Sequence, residues 1–153
     1  MSSHPYTAIH TAVLQAQIEA ALIPEGPVVT TLRAAFPQVL AIYAFGSRVS
    51  GVPSPDSDLD LALLVAGYAE PLRLWELSGQ LASTLGCAVD VLDLRAASTV
   101  MQYQVINQGR RLWAKGISPG LFECFVLSEK MAFDAARAGL LSDVAREGRV
   151  YGG

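Results

Sequence analysis

The chain has 153 residues and a mass of 16.3 kDa, with 52% apolar and 16% charged residues; it is large enough to bury one domain's core and too apolar for an intrinsically disordered chain. Apolar runs such as Val39–Phe45 and Leu61–Gly67 are far shorter than the roughly 20 residues of a membrane span, and the N-terminus lacks the basic stretch and apolar core of a secretory signal. With only Cys87 and Cys124 there is no disulfide framework or zinc spacing, so a cytoplasmic protein is expected, and a net charge of −3 argues against direct nucleic-acid binding.

Residues Thr7 to about Ile23 are rich in Ala, Gln, Leu and Ile and stop before Pro24, which predicts a helix. Pro27 suits the first turn of a second helix to about Phe36, closed by Pro37. Val39–Phe45 is a compact β-prone run and predicts a buried strand. A polar loop with Gly51, Pro53 and Pro55 follows, and Leu59–Val65 predicts a second strand. Pro71–Leu85 has helical periodicity, with Gly86 placed to end it. Ala88–Leu94 predicts a third strand, and Ser98 caps a helix to about Gln108. Arg111–Ala114 reads as a short edge strand. Ser118-Pro119 opens a helix to about Ala138, and Ser142–Arg146 forms a last helical piece before a Gly152-Gly153 tail. This alternation predicts an α/β (α+β) layer, a sheet covered by helices. A single domain over residues 1–153 is expected, with residues 1–26 as an N-terminal helical segment and C-terminal helices over 118–149 packed on the same domain.

The charge is unevenly placed. Residues 1–75 hold three bases against six acids, while residues 76–153 hold eight of each. The excess lies beside Asp56, Asp58 and Asp60, where a divalent cation would neutralise much of it. Gly46-Ser47 directly follows the first strand, where the chain must turn and expose backbone N–H groups. Glycine permits that turn and lets a phosphate approach, and the Ser47 hydroxyl can donate to a phosphate oxygen. Asp58 and Asp60 flank Leu59, so on a strand both carboxylates share one face while Leu59, Leu61 and Leu63 face the core. Paired carboxylates beside a phosphate turn suit a hard cation such as Mg²⁺. Asp90, between Val89 and Val91, offers a third acid on another strand.

Each feature alone has a plainer reading: Gly-Ser as an ordinary turn, Asp58 and Asp60 as solvated loop acids, Asp90 as the polar side of an edge strand. Their combination on and between β-runs opposes local propensity, as functional sites do. Competing motifs fail. Gly46 and Gly51 have P-loop spacing, but Val52-Pro53 stands where Lys and Ser or Thr must be. An EF-hand starting at Asp56 would have Leu61 in place of its glycine and Gly67 in place of its glutamate. His4 and His10 are the only histidines and lie near the terminus, so tail or surface roles are expected of them. Cys87 reads as a small core residue.

Gly46-Ser47, ten residues, then Asp58-Leu59-Asp60 resembles the signature of the DNA polymerase beta superfamily of nucleotidyltransferases, and Asp90 resembles its third carboxylate. Phe122-Glu123, Val126-Leu127-Ser128-Glu129 and Gly148-Arg149-Val150-Tyr151 resemble the minimal nucleotidyltransferases, many of them antitoxins paired with a HEPN-domain ribonuclease toxin. The resemblance runs from about residue 28 onward. It implies a polymerase-beta-like fold with a mixed sheet and C-terminal helices, and transfer of AMP from ATP to a hydroxyl, a tyrosine of the toxin. It implies that Asp58, Asp60 and Asp90 hold two Mg²⁺ ions, that Asp90 helps deprotonate the acceptor, and that Gly46 and Ser47 grip the β- and γ-phosphates. Arg48 is expected to offset phosphate charge or to be a solvated loop residue. Two alternatives stand beside this reading: an antitoxin that neutralises by binding alone, and a dimeric small-molecule nucleotidyltransferase.

Overall fold

The structure is a computed structural model that describes the backbone of residues 5–151 and the side chains of residues 8–146. His4 and the Gly152-Gly153 tail lie outside the described residues. The elements in order are α1 (Pro5–Ala21), α2 (Pro27–Ala35), β1 (Val39–Phe45), α3 (Ser47–Ser50), β2 (Leu59–Val65), α4 (Pro71–Leu85), β3 (Val89–Asp93), α5 (Thr99–Gln108), β4 (Arg110–Ala114) and α6 (Ser118–Tyr151). The local signals act as expected at most ends. Pro27 and Pro71 open helices, Gly86 closes α4 in the left-handed conformation at φ 77°, and the Ser98 hydroxyl accepts from the Met101 N–H.

The four strands form one mixed sheet in the order β3-β2-β1-β4, with β1 antiparallel to β2 and β4, and β2 parallel to β3. Strand alternation splits its side chains between two cores. One face carries Leu59, Leu61, Leu63, Val65, Val89 and Val91 under α1, α2 and α4. The other carries Ala41, Tyr43, Ala62, Leu64 and Leu94 under α5 and the start of α6. Asp60 and Asp90 belong to this second face by parity, beyond the part that the helices cover.

Two expectations are corrected. The polar loop after β1 begins with a one-turn helix, α3, because Val49 and Ser50 N–H groups both return to the Gly46 carbonyl at 3.0 Å. The C-terminus is one continuous helix rather than two pieces: Ala132, Ala135, Ala136 and Ala138 carry the helix through Gly139, whose cost is only about 1 kcal/mol. Nor does all of it pack on the domain. Val126 is buried, whereas residues 131–146 are exposed throughout. The first turns of α6 are held by Phe122, packed on the second core, and by Glu123, which accepts from the Tyr43 hydroxyl at 2.7 Å and pairs with Arg111 at 3.3 Å. Burial first, and then Glu123, push the Tyr43 phenol well above its ordinary range, so it stays a donor. Among the described residues no helix is long and apolar enough to cross a membrane.

Tyr43→Phe removes that donor while Glu123 keeps Arg111. A loss of about 1 kcal/mol in urea unfolding is expected, with an unchanged slope.

Candidate active site

Strand register assembles the site. Phe45 at the end of β1 pairs with Asp60 in β2, and Asp60 pairs with Asp90 in β3. The turn after Phe45 therefore lies directly against Asp60. Gly46 has φ 83° and ψ −170°, a conformation nearly confined to glycine. A Cβ there would also overlap the Asp60 Oδ2 atom. Gly46 is thus required twice, by its own backbone and by the carboxylate resting on it. Ser47, the next residue, is exposed, as are Asp58 just before β2 and Asp90.

The carboxylates feel one another. Asp60 is pushed from the ordinary carboxylate value up to about 6, first by burial, then by the charge of Asp90, then by that of Asp58. Among the described residues none of the three has an ion-pair or hydrogen-bond partner. Nor, among those residues, do any three acidic, histidine or cysteine side chains close into a metal cage. An unpaired, mutually repelling set of oxygen donors fits Mg²⁺ better than a closed cage does, because Mg²⁺ keeps waters and substrate oxygens and takes only one or two carboxylates.

The neighbouring residues separate site from scaffold. Asp56 is exposed in the tip of a turn whose bonds are made by the serines: Ser57 N–H to Ser54 O at 3.0 Å, and Ser54 N–H to Ser57 Oγ at 2.8 Å. Asp93, close to Asp90 in sequence, points the other way along the chain's logic. It is buried and accepts from the Ala69 and Arg95 N–H groups at 2.8 and 3.0 Å, pinning the connection into α4. Cys87 packs against the first core, and burial pushes its thiol up.

Arg48 departs from both of its expected positions. It is only 2% exposed, so it is not a solvated loop residue. Its Nε donates to Ser57 O at 3.0 Å and its Nη1 to Gln15 Oε1 at 3.1 Å, while Nη2 is buried without a partner. The guanidinium is consumed inside the protein, which keeps it from a phosphate arriving from solvent. The signal for this was faint: a lone arginine in a Gly- and Ser-rich loop says nothing of a glutamine in α1.

On the far side of Asp90 a groove of about 580 Å³ runs between α4 and the free edge of β3. Trp75, Gly79, Val89 and Asp90 are part of its lining, and Trp75 is 74% exposed.

Residues 29–116 match the family described as Polymerase beta, Nucleotidyltransferase. The chain belongs to this family. The protein adenylyltransferase MntA of Shewanella oneidensis is 38% identical to this nucleotidyltransferase over 120 residues, 78% of this chain and 86% of the relative. A crystal structure of a toxin–antitoxin with AMP-PNP matches with TM-score 0.67 and 37% identity, over 77% of this chain and 95% of the other. A structure of tri-AMPylated Shewanella oneidensis HEPN toxin in complex with MNT antitoxin matches with TM-score 0.62 and 32% identity, covering 88% and 98%. The matched family region begins after α1 and ends before α6.

Two outcomes test the site's geometry. Gly46→Ala should abolish nucleotidyl transfer and cost roughly 1–3 kcal/mol in urea unfolding, since both the backbone and Asp60 must shift. The second concerns pH in EDTA. A carboxyl whose folded pKa is raised holds its proton better in the native state, so native stability falls as pH rises from about 4 through about 6. Asp60→Asn should remove that loss, melting higher than wild type above pH 6, with the difference vanishing near pH 4. Asp60 is half exposed, so solvent screening reduces the gain to about 1 kcal/mol.

Proposed function

We propose that this protein is a Mg²⁺-dependent adenylyltransferase that moves AMP from ATP onto a hydroxyl of a HEPN-domain ribonuclease toxin and thereby acts as its antitoxin. The observation that carries this reading is the row Gly46, Asp60, Asp90: a tight backbone turn resting on unpaired carboxylates. The likeness to MntA, and to a complex holding an AMPylated toxin, supports the choice of nucleotide and acceptor.

Each residue has a distinct task. Asp58 and Asp60 would hold Mg²⁺, with Asp90 as a further oxygen donor. Bound Mg²⁺ would supply positive charge to the triphosphate and to the attacking oxygen. The Gly46 turn presents backbone N–H groups, and the exposed Ser47 hydroxyl adds a donor, to the β- and γ-phosphates. Asp90 takes the proton of the acceptor hydroxyl as its oxygen bonds to the α-phosphorus. The bond from that phosphorus to the bridging oxygen breaks, and pyrophosphate leaves. Asp90 is the fitting base because it is an exposed acid of the row, whereas the described histidine, His10, lines a different cavity with Pro55 and Leu85. The groove beyond Asp90, with Trp75 on its wall, gives a protein-borne hydroxyl a way in along the edge of the sheet.

A binding-only antitoxin has no use for a half-buried carboxylate held against two like charges, which only lowers its stability. The test is incubation with ATP, Mg²⁺ and the partner toxin, followed by mass spectrometry. A gain of one or more AMP units, lost with EDTA, is expected. Asp58→Ala and Asp60→Ala should lower the rate by at least about 10³-fold, a loss of roughly 4 kcal/mol of transition-state stabilisation. Asp56→Ala should keep most of it, because that side chain holds nothing in place. No adduct with any of the four nucleoside triphosphates would leave binding alone as the antitoxic act.

A further inference from the structure

We infer that Arg48 is a positioning residue, which together with Gln15 of α1 latches the loop that delivers Asp58 to the site. The inference rests on the reading of Asp58 and Asp60 as the transfer acids.

The latch is built from reciprocal bonds. Gln15 Nε2 donates to the Arg48 carbonyl at 3.0 Å, and Arg48 Nη1 donates back to Gln15 Oε1 at 3.1 Å. From the same guanidinium, Nε reaches the Ser57 carbonyl at 3.0 Å. Ser57 immediately precedes Asp58, so its carbonyl fixes the peptide plane that aims the first acid. One side chain therefore joins three segments far apart in sequence: α1, the turn after β1, and the loop before β2.

The loop needs such a tie. Between Gly51 and Asp58 the chain has no helix or strand, and its own bonds reach only from Ser54 to Ser57. Nothing in that turn constrains Asp58 relative to Gly46. Burying a guanidinium against neutral partners, with Nη2 left unpaired, is costly. A surface residue would avoid that cost entirely, so the burial points to the placement it achieves. Gln15 lies before residue 29, so the latch anchors a family-typical loop to a helix outside the matched region.

The test uses Gln15, since Arg48 variants risk the fold. Helix α1 stays docked without Gln15 through Ile18, Ala21 and Leu22, all buried, and through the Glu19–Arg110 pair at 3.0 Å. Gln15→Leu removes both of its bonds to Arg48, along with a longer one to Glu19 at 3.4 Å, whereas Gln15→Glu keeps an acceptor for Arg48 Nη1. Ala20→Ser, at an exposed position of α1 that does not line the Pro55 cavity, is the control. The first readout is amide hydrogen exchange of residues 54–58 without metal. Exchange about tenfold faster in Gln15→Leu, near wild type in Gln15→Glu and unchanged in Ala20→Ser, is expected. The second is AMP transfer: kcat down about tenfold in Gln15→Leu with the acceptor KM unchanged, and largely recovered in Gln15→Glu. Gln15→Leu equal to wild type in exchange and in kcat would overturn the latch. Wild-type protein that transfers no AMP would instead overturn the proposed function, and the exchange comparison would still decide whether the loop is held.

Discussion

The site depends on one register: Phe45 opposite Asp60, and Asp60 opposite Asp90. Because β1 and β2 are antiparallel, the end of one strand lies beside the beginning of the other. The turn leaving β1 is thus brought onto the first residues of β2, with no long-range design beyond strand pairing. Because β2 and β3 are parallel, Asp60 and Asp90 then face the same way at the same level. A slip of one residue in either pairing would turn an acid into the leucine core and a leucine out to solvent. Leu59, Leu61 and Leu63 are fully buried, and that burial is what locks the register.

The costs of the site are gathered at one end of the sheet. They are an almost glycine-only backbone at Gly46, a destabilised carboxylate at Asp60 and a buried cation at Arg48 with one unpaired nitrogen. The opposite face carries the large apolar core under α1, α2 and α4. Arg33 lying 4.3 Å from the Trp113 ring and Glu19 paired with Arg110 tie α2 and α1 to β4 as well. Strain is tolerable where the surroundings over-determine the conformation, and here Leu59, Val89 and Val49 beside the strained residues belong to or pack on that core.

Much of this was legible in the sequence because it is short-range. Period-2 alternation placed Asp60 with its face, and Gly46 after a β-run announced a turn. Pro27, Pro71, Gly86 and Ser98 marked helix ends by backbone chemistry that acts within a few residues. What was not legible is long-range or depends on competition between near-equal states. Strand order has no local signature. Gln15 and Arg48 are 33 residues apart, and their bonds exist only because Ile18 and Leu22 dock α1 against the core. Gly139 and Ser142 looked like a helix break, yet alanine-rich flanks outweigh one glycine in a stretch of α6 that no packing constrains. The turn at Asp56 is closed by Ser57 rather than by the aspartate, a choice between two residue types that both favour turns.

The same strand face explains why the site is open at only one end. Asp60, Ala62 and Leu64 alternate along a single face of β2, and Asp90, Leu92 and Leu94 follow on β3. The helices α5 and α6 cover the Ala62, Leu64 and Leu94 end, where Phe122 and Val105 fill the space. They stop short of the acids. Tyr43, on the same face of β1 two residues before Phe45, marks the boundary, since its hydroxyl is tied to Glu123 of α6. Moving α6 further along the sheet would bury Asp60 and Asp90 and break that bond; moving it back would expose Leu64 and Leu94. The Tyr43–Glu123 contact therefore lies at the border between the part of the face that is core and the part that is left open. The uncovered end lies between the Gly46 turn on one side and the Trp75 groove on the other.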